Sequence, residues 1–176
     1  MIIIMGVVGA GKSLQGQLFA KETGYKWVST GELFRAFLPE EHQKDLLSGK
    51  LLADQKVIKL VDKTLDEVGN SRIVLDGFPR TIVQAQWLLD QINNNRIKLT
   101  SIFNLVADRE VVTKRLLARG RGDDVNAIID ERFHEYETKT MPLVDFFKKN
   151  NIDVVNINAD QTPEKVHEDI MRLVKT

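Results

Sequence analysis

The stretch Met1-Ile2-Ile3-Ile4-Met5-Gly6-Val7-Val8-Gly9-Ala10-Gly11-Lys12-Ser13-Leu14 sets a short apolar run directly against a glycine-rich turn. Residues 2–5 have the continuous apolar character of a strand buried on both faces. Gly6 to Ser13 fit G-x-x-x-x-G-K-[ST], and the pattern lies where its mechanism needs it, after a strand and before a helix. In that context the loop around Gly9, Ala10 and Gly11 turns its backbone N–H groups inward. The following helix presents its positive end from Ser13 and Leu14 onward, and Lys12 reaches toward outer phosphates. Polyphosphate is the expected ligand, and the Ser13 hydroxyl is placed to hold magnesium.

Working outward, further strands are predicted over 26–29, 72–75, 101–106 and 153–157. Between them lie apolar stripes at helical spacing: Leu14/Leu18/Phe19, Val57/Leu60/Val61/Leu65, Val112/Leu116 and Val166/Ile170/Leu173/Val174. Strands alternating with helices favour a parallel sheet, because parallel neighbours need a crossover that a helix supplies. The fold expected is therefore α/β, a doubly wound five-stranded parallel sheet with helices on both faces. Gly24 should end the first helix, Asp108 should cap the helix near Arg109, and Thr162-Pro163 should open the last one. Residues 30–53 offer no strand and read as a mostly polar helical insertion.

Composition narrows the function. Lys+Arg and Asp+Glu are 25 each in 176 residues of 43% hydrophobic content, which suits one globular domain with no bulk field for nucleic acid. No cysteine is present, so disulfides and thiolate zinc sites are excluded. Residues 1–5 are too short for a signal-peptide core or a membrane span, and a cytoplasmic protein is expected. His42, His134 and His167 share no metal-binding or relay spacing and read as surface or edge residues. Trp27 and Trp87 read as packing groups, and Pro142 as a helix start or kink.

Beyond the loop come Ser29-Thr30-Gly31-Glu32-Leu33-Phe34-Arg35 and Leu75-Asp76-Gly77-Phe78-Pro79-Arg80-Thr81 with Gln84. Then follow Arg115, Arg119, Arg121-Gly122-Asp123-Asp124, Arg132 and Thr140-Met141-Pro142. In this order and spacing they closely resemble the adenylate kinase family, over nearly the whole chain. The resemblance implies a P-loop NTPase-like fold and reversible, magnesium-dependent transfer of a phosphoryl group from ATP to AMP, which maintains adenine nucleotide balance. It also implies a core of 1–28 and 54–176, a helical monophosphate-binding insertion at about 29–53 and a vestigial lid at about 119–122.

Transfer between two polyanions spreads charge over the oxygens of the moving group, so cations must gather there. Lys12, Arg35, Arg80, Arg115, Arg119, Arg121 and Arg132 would supply them, and the planar fork of arginine suits phosphate. The resemblance gives Arg35 and Arg80 the acceptor phosphate, gives Arg119, Arg121 and Arg132 the transferring group together with Lys12, and lays Arg115 against the ATP base. Asp76 would orient magnesium through water, and Asp123 and Asp124 would position the arginines or the metal shell, Asp123-Asp124 also capping the next helix. For the acceptor base it implies Thr30, where the similar UMP/CMP kinases usually have alanine, with Leu52 and Val57 as an apolar wall, the backbone of residues 50–52 nearby, and Gly77 within the AMP site. Gln84, one turn beyond Arg80, could accept from the adenine amino group and donate to a ring nitrogen.

Three departures from the family stand out. Val7-Val8 replaces the usual proline, Ser13-Leu14 stands where Gly-Thr is common, and only Gly120 separates Arg119 from Arg121, where long members carry a lid domain. A monomer is expected, or an oligomer that compensates for the missing lid. The rival functions are a UMP/CMP or broad-specificity kinase and a nucleotide-binding regulator without turnover; the full set of cations favours an enzyme.

Overall fold

A computed structural model describes residues 1–37, 48 and 51–174. The elements run β1 (Ile2–Gly6), α1 (Lys12–Thr23), β2 (Lys26–Ser29), α2 (Thr30–Phe37), α3 (Asp54–Val68), β3 (Ile73–Asp76), α4 (Ile82–Asn93) and β4 (Ser101–Val106). They continue with α5 (Arg109–Arg119), α6 (Asn126–Glu135), a π-helical turn (Tyr136–Thr140), α7 (Pro142–Lys149), β5 (Val154–Asn158) and α8 (Pro163–Val174). All five strands are parallel, in the order β2-β3-β1-β4-β5. The strand boundaries lie within one residue of those predicted.

The apolar run 2–5 earns its central place because β1 is covered on both sides. Ile3 and Met5 face one core layer with Val57, Val61 and Leu65 of α3, Leu88 of α4 and Phe147 of α7. Ile2 and Ile4 face the other, with Phe19, Val112, Leu116, Phe133 and Ile170. Fully burying one such side chain stabilises the fold by about 1.5–3 kcal/mol, so a charge at Ile3 would remove that term and strand an ion in the core.

Four expectations are corrected. In α1 the buried side is Gln15, Gly16 and Phe19, while Leu14 is exposed. The reason is that Gln15 Nε2 donates to the Pro163 carbonyl at 2.8 Å, and Gly16 leaves space that Trp27 fills. In α8, Met171 rather than Leu173 joins Val166 and Ile170 in the core. Asp108 precedes α5 without a side-chain cap; instead its N–H donates to Asp160 Oδ1. Asp123 and Asp124 do not cap α6, whose N-cap is Val125, because both carboxylates are engaged by arginines. Gly24 does end α1, in the left-handed conformation, and Pro142 starts α7. His42 and the backbone of Lys50 lie outside the described residues. Among the described residues no helix is long and apolar enough to cross a membrane.

Candidate active site

Because β1 is flanked by β3 on one side and β4 on the other, successive crossovers leave in opposite directions and open a crevice at the C-terminal ends of these strands. The glycine-rich loop leaves β1 at that edge. Gly9 has φ +80, and a Cβ there would stand 2.6 Å from Val112 Cγ1, so both backbone and space demand glycine. Gly11 precedes α1 without any side-chain cap, leaving the first N–H groups of that helix available to an anion.

The resulting cleft has a volume of about 450 Å³. Lys12, Arg35, Arg80, Arg115, Arg119, Arg121 and Arg132 all line it, so the structure brings together every cation singled out in the sequence. Gly9, Gly11, Ser13, Leu14, Asp76 and Gly77 share the same wall.

Lys12, Arg80, Arg115, Arg119 and Arg132 are each held by contacts of their own. Lys12 Nζ folds back over the loop to the Val7 carbonyl at 2.8 Å. Burial, together with Arg80, Arg119 and Arg132, pushes its pKa down to about 8 against the opposing pull of Asp76. Arg80 donates Nε to the Gly77 carbonyl at 2.9 Å, and burial lowers its pKa, with Arg132 and Arg35 adding to the effect. Arg35 is likewise lowered by burial and then by Arg121. Such mutual repulsion marks a place prepared for negative charge. Arg115 donates to the carbonyls of Ala159 and Gln161, which fixes it at the cleft's outer end. Arg119 makes a two-pronged contact with Asp124 at 2.6 and 2.8 Å, and Arg132 pairs with Asp123. Burial pushes the Asp124 carboxyl up, yet Arg119, the Arg121 N–H and Arg132 outweigh it and hold the pKa below 3.8.

Asp76, the last residue of β3, accepts a 2.6 Å hydrogen bond from Ser13 Oγ. A hydroxyl and a carboxylate side by side, next to Lys12, are hard oxygen donors of the kind magnesium takes, so the residues present fit that ion.

The groups expected to read the acceptor base also make contacts within the fold. Val57 faces the sheet from α3. Leu52 packs beside that layer, and Leu51 lines the cleft in its stead. Thr30 is buried and gives its hydroxyl to the carbonyls of Asp76 and Gly77. Gln84 is buried with its Oε1 on the Arg80 N–H and its Nε2 on Asp54 Oδ1, both at 2.8 Å. Neither side chain lines the cleft, though each keeps hydrogen-bonding capacity beyond these contacts, since an amide offers two donors and two lone pairs and a hydroxyl oxygen can still accept. Glu135, Tyr136 and Thr140 do line it and were missed. Their signal in the sequence is spacing, since Tyr136 and Thr140 follow Arg132 at intervals of four residues, and for Thr140 also its place in the quoted Thr140-Met141-Pro142 segment. Trp27 and Trp87 pack, the latter edge-on to Phe78.

A doubly wound sheet whose phosphate-binding loop faces a convergent set of arginines defines a P-loop nucleotide-handling protein. The sequence profile of the family described as Adenylate kinase matches residues 4–152. The chain is 33% identical over 174 residues to the adenylate kinase of Corynebacterium urealyticum, covering 95% of this chain and 94% of that protein. It is 36% identical over 157 residues to an adenylate kinase of Prochlorococcus marinus, covering 86% and 84%. It is 34% identical over 184 aligned positions to an adenylate kinase of Leptospira biflexa, covering 98% of each. The chain belongs to the adenylate kinase family.

Proposed function

We infer that this protein is an adenylate kinase, transferring the terminal phosphoryl group of ATP to AMP to give two ADP, reversibly. The observation that supports this most is the convergence of seven cations on one cleft that also holds a phosphate-binding loop. One bound polyphosphate would leave Arg35 and Arg80 unneutralised; two nucleotides meeting phosphate to phosphate use them all.

In this reading Lys12 and the N-terminus of α1 hold the donor's outer phosphates, and Arg115 lies against the donor base. Arg35 and Arg80 hold the acceptor phosphate, whose own oxygen is the nucleophile, so no side chain need act as a strong base. Arg119, Arg121 and Arg132 surround the group in transit, where fixed charges lower the barrier because they need no reorganisation as the reaction proceeds. Magnesium, when bound, neutralises the outer phosphates, and Ser13 directly and Asp76 through water are the residues that would hold it. The division into a core, a monophosphate-binding insertion at about 29–53 and a shortened lid at about 119–122 belongs to the same proposal.

AMP as the preferred acceptor rests on the family. A panel of AMP, CMP, UMP and GMP with ATP, with and without magnesium, tests it. AMP should be turned over fastest and only with the metal; equal use of CMP or UMP would make the enzyme a broad-specificity monophosphate kinase.

A further inference from the structure

Arg80 lies in a stretch, residues 78–80, that has no helix or strand of its own. Its backbone polar groups must therefore find partners elsewhere, and both find buried side chains. The N–H donates to Gln84 Oε1 at 2.8 Å, and the carbonyl accepts from Thr140 Oγ1 at 3.0 Å. Thr140 is 6% exposed and Gln84 1%.

Thr140 closes the π-helical turn Tyr136–Thr140, in which the Met141 N–H reaches back five residues to the Tyr136 carbonyl at 2.8 Å. One extra residue in a turn shifts everything after it by about 100° around the axis relative to a regular α-helix. The wide turn follows directly on α6, which carries Arg132, so it sets the direction in which Thr140 points relative to Arg132. Arg80 and Arg132 repel one another across the cleft. The Thr140 hydroxyl ties the backbone of the first to the helical segment that bears the second.

We propose that Thr140 is a positioning residue for phosphoryl transfer, acting through the backbone of Arg80 to fix the spacing of Arg80 and Arg132. The proposal rests on the kinase reading above. Fixing two cations that repel each other matters in a reaction driven by alignment, where a displacement of about 1 Å costs about 100-fold.

The test is a cycle of Thr140→Val, Thr140→Ser, Arg80→Ala and Arg80→Ala with Thr140→Val in the full chain. Thr140→Val should lower kcat about 10- to 100-fold. The Kd for ATP should stay within about twofold, since no donor-side contact is touched, and Thr140→Ser should restore most of the loss. In the Arg80→Ala background Thr140→Val should cost no more than about twofold, because the two act as one unit. Wild-type kcat in Thr140→Val, or the same loss in both backgrounds, overturns the proposal. If Thr140→Val does not fold by circular dichroism, Thr140→Ala replaces it in the same cycle. A second readout needs no turnover: the Nε–H of Arg80, bonded to the Gly77 carbonyl, should exchange with solvent faster in Thr140→Val, and unchanged exchange counts against the proposal. A wild-type protein without ADP formation would sink the kinase reading instead, and the exchange measurement would still decide the role of Thr140.

Discussion

Ser13 Oγ donates to Asp76 Oδ2 at 2.6 Å, joining the start of α1 to the end of β3 across 63 positions of sequence. The contact places the loop hydroxyl and a buried carboxylate at one point beside the Lys12 ammonium. Asp76→Asn removes the charge and keeps the shape. Turnover should fall about 100- to 1,000-fold at saturating nucleotide, the usual cost of losing a fixed charge next to the reacting phosphates. Ser13→Ala should instead raise the magnesium concentration needed for half-maximal rate. An unchanged magnesium dependence in both variants would show that the metal is held elsewhere.

Lys12 gives a pH prediction with a definite sign. Its pKa in the free protein is depressed to about 8, first by burial and then by Arg80, Arg119 and Arg132, while Asp76 opposes the shift. Phosphate binding favours the protonated form, so ATP affinity should be level below pH 8 and fall as the pH rises through it, by about tenfold at pH 9. Calorimetry in buffers of different ionisation heat should show proton uptake on binding above pH 8. Removing the Asp76 charge should move the fall to lower pH. Stability has the opposite sense: a folded pKa below the unfolded value of 10.5 makes this lysine's contribution more favourable as the pH rises from about 8 toward 10.5.

Arg132 pairs with Asp123 and stands 3.6 Å from Asp124, whose side chain is fully buried. Arg132→Ala should lower kcat about 100- to 1,000-fold with little change in the Kd for ATP, because its contact with the moving phosphoryl group is made in the transition state. Near-normal turnover in a folded variant would remove Arg132 from the phosphate clamp.

The segment between α5 and α6 is six residues long, 120–125, and is exposed or half-buried apart from Asp124. So short a connection should shield the phosphate cleft less than a lid domain would. ATP incubated with magnesium and no acceptor should release phosphate at a rate measurable above a Lys12→Ala control, since water can take the acceptor's place. Hydrolysis equal to that control would mean the bound nucleotide is sealed by other means.

Much of this arrangement was legible in the sequence where one segment carries its own signal. Residues 2–5 announce a doubly buried strand, and the loop after them announces phosphate, because each pattern is local and chemically specific. What depended on distant partners was not legible. Gln15 lies off the apolar stripe predicted for α1 until the Pro163 carbonyl meets it, whereas the engagement of Asp124 by arginines was implied by the resemblance and only its expected capping role fails. Gln84 carries no sign in the sequence that Asp54 and the Arg80 N–H each take one of its amide's hydrogen bonds. Thr140 belongs to a stretch that resembles the family and follows Arg132 at helical spacing, but its tie to the Arg80 carbonyl depends on a π turn that neither signal reveals.

The proposed reaction requires one cleft to hold two nucleotides phosphate to phosphate. Its most direct test starts from ADP alone with magnesium and follows all nucleotides and phosphate together over time. ATP and AMP should appear at equal rates and in equal amounts until the reaction stops at equilibrium, with only a minor yield of free phosphate. A folded protein that leaves ADP unchanged, or that yields AMP and phosphate without ATP, would contradict it.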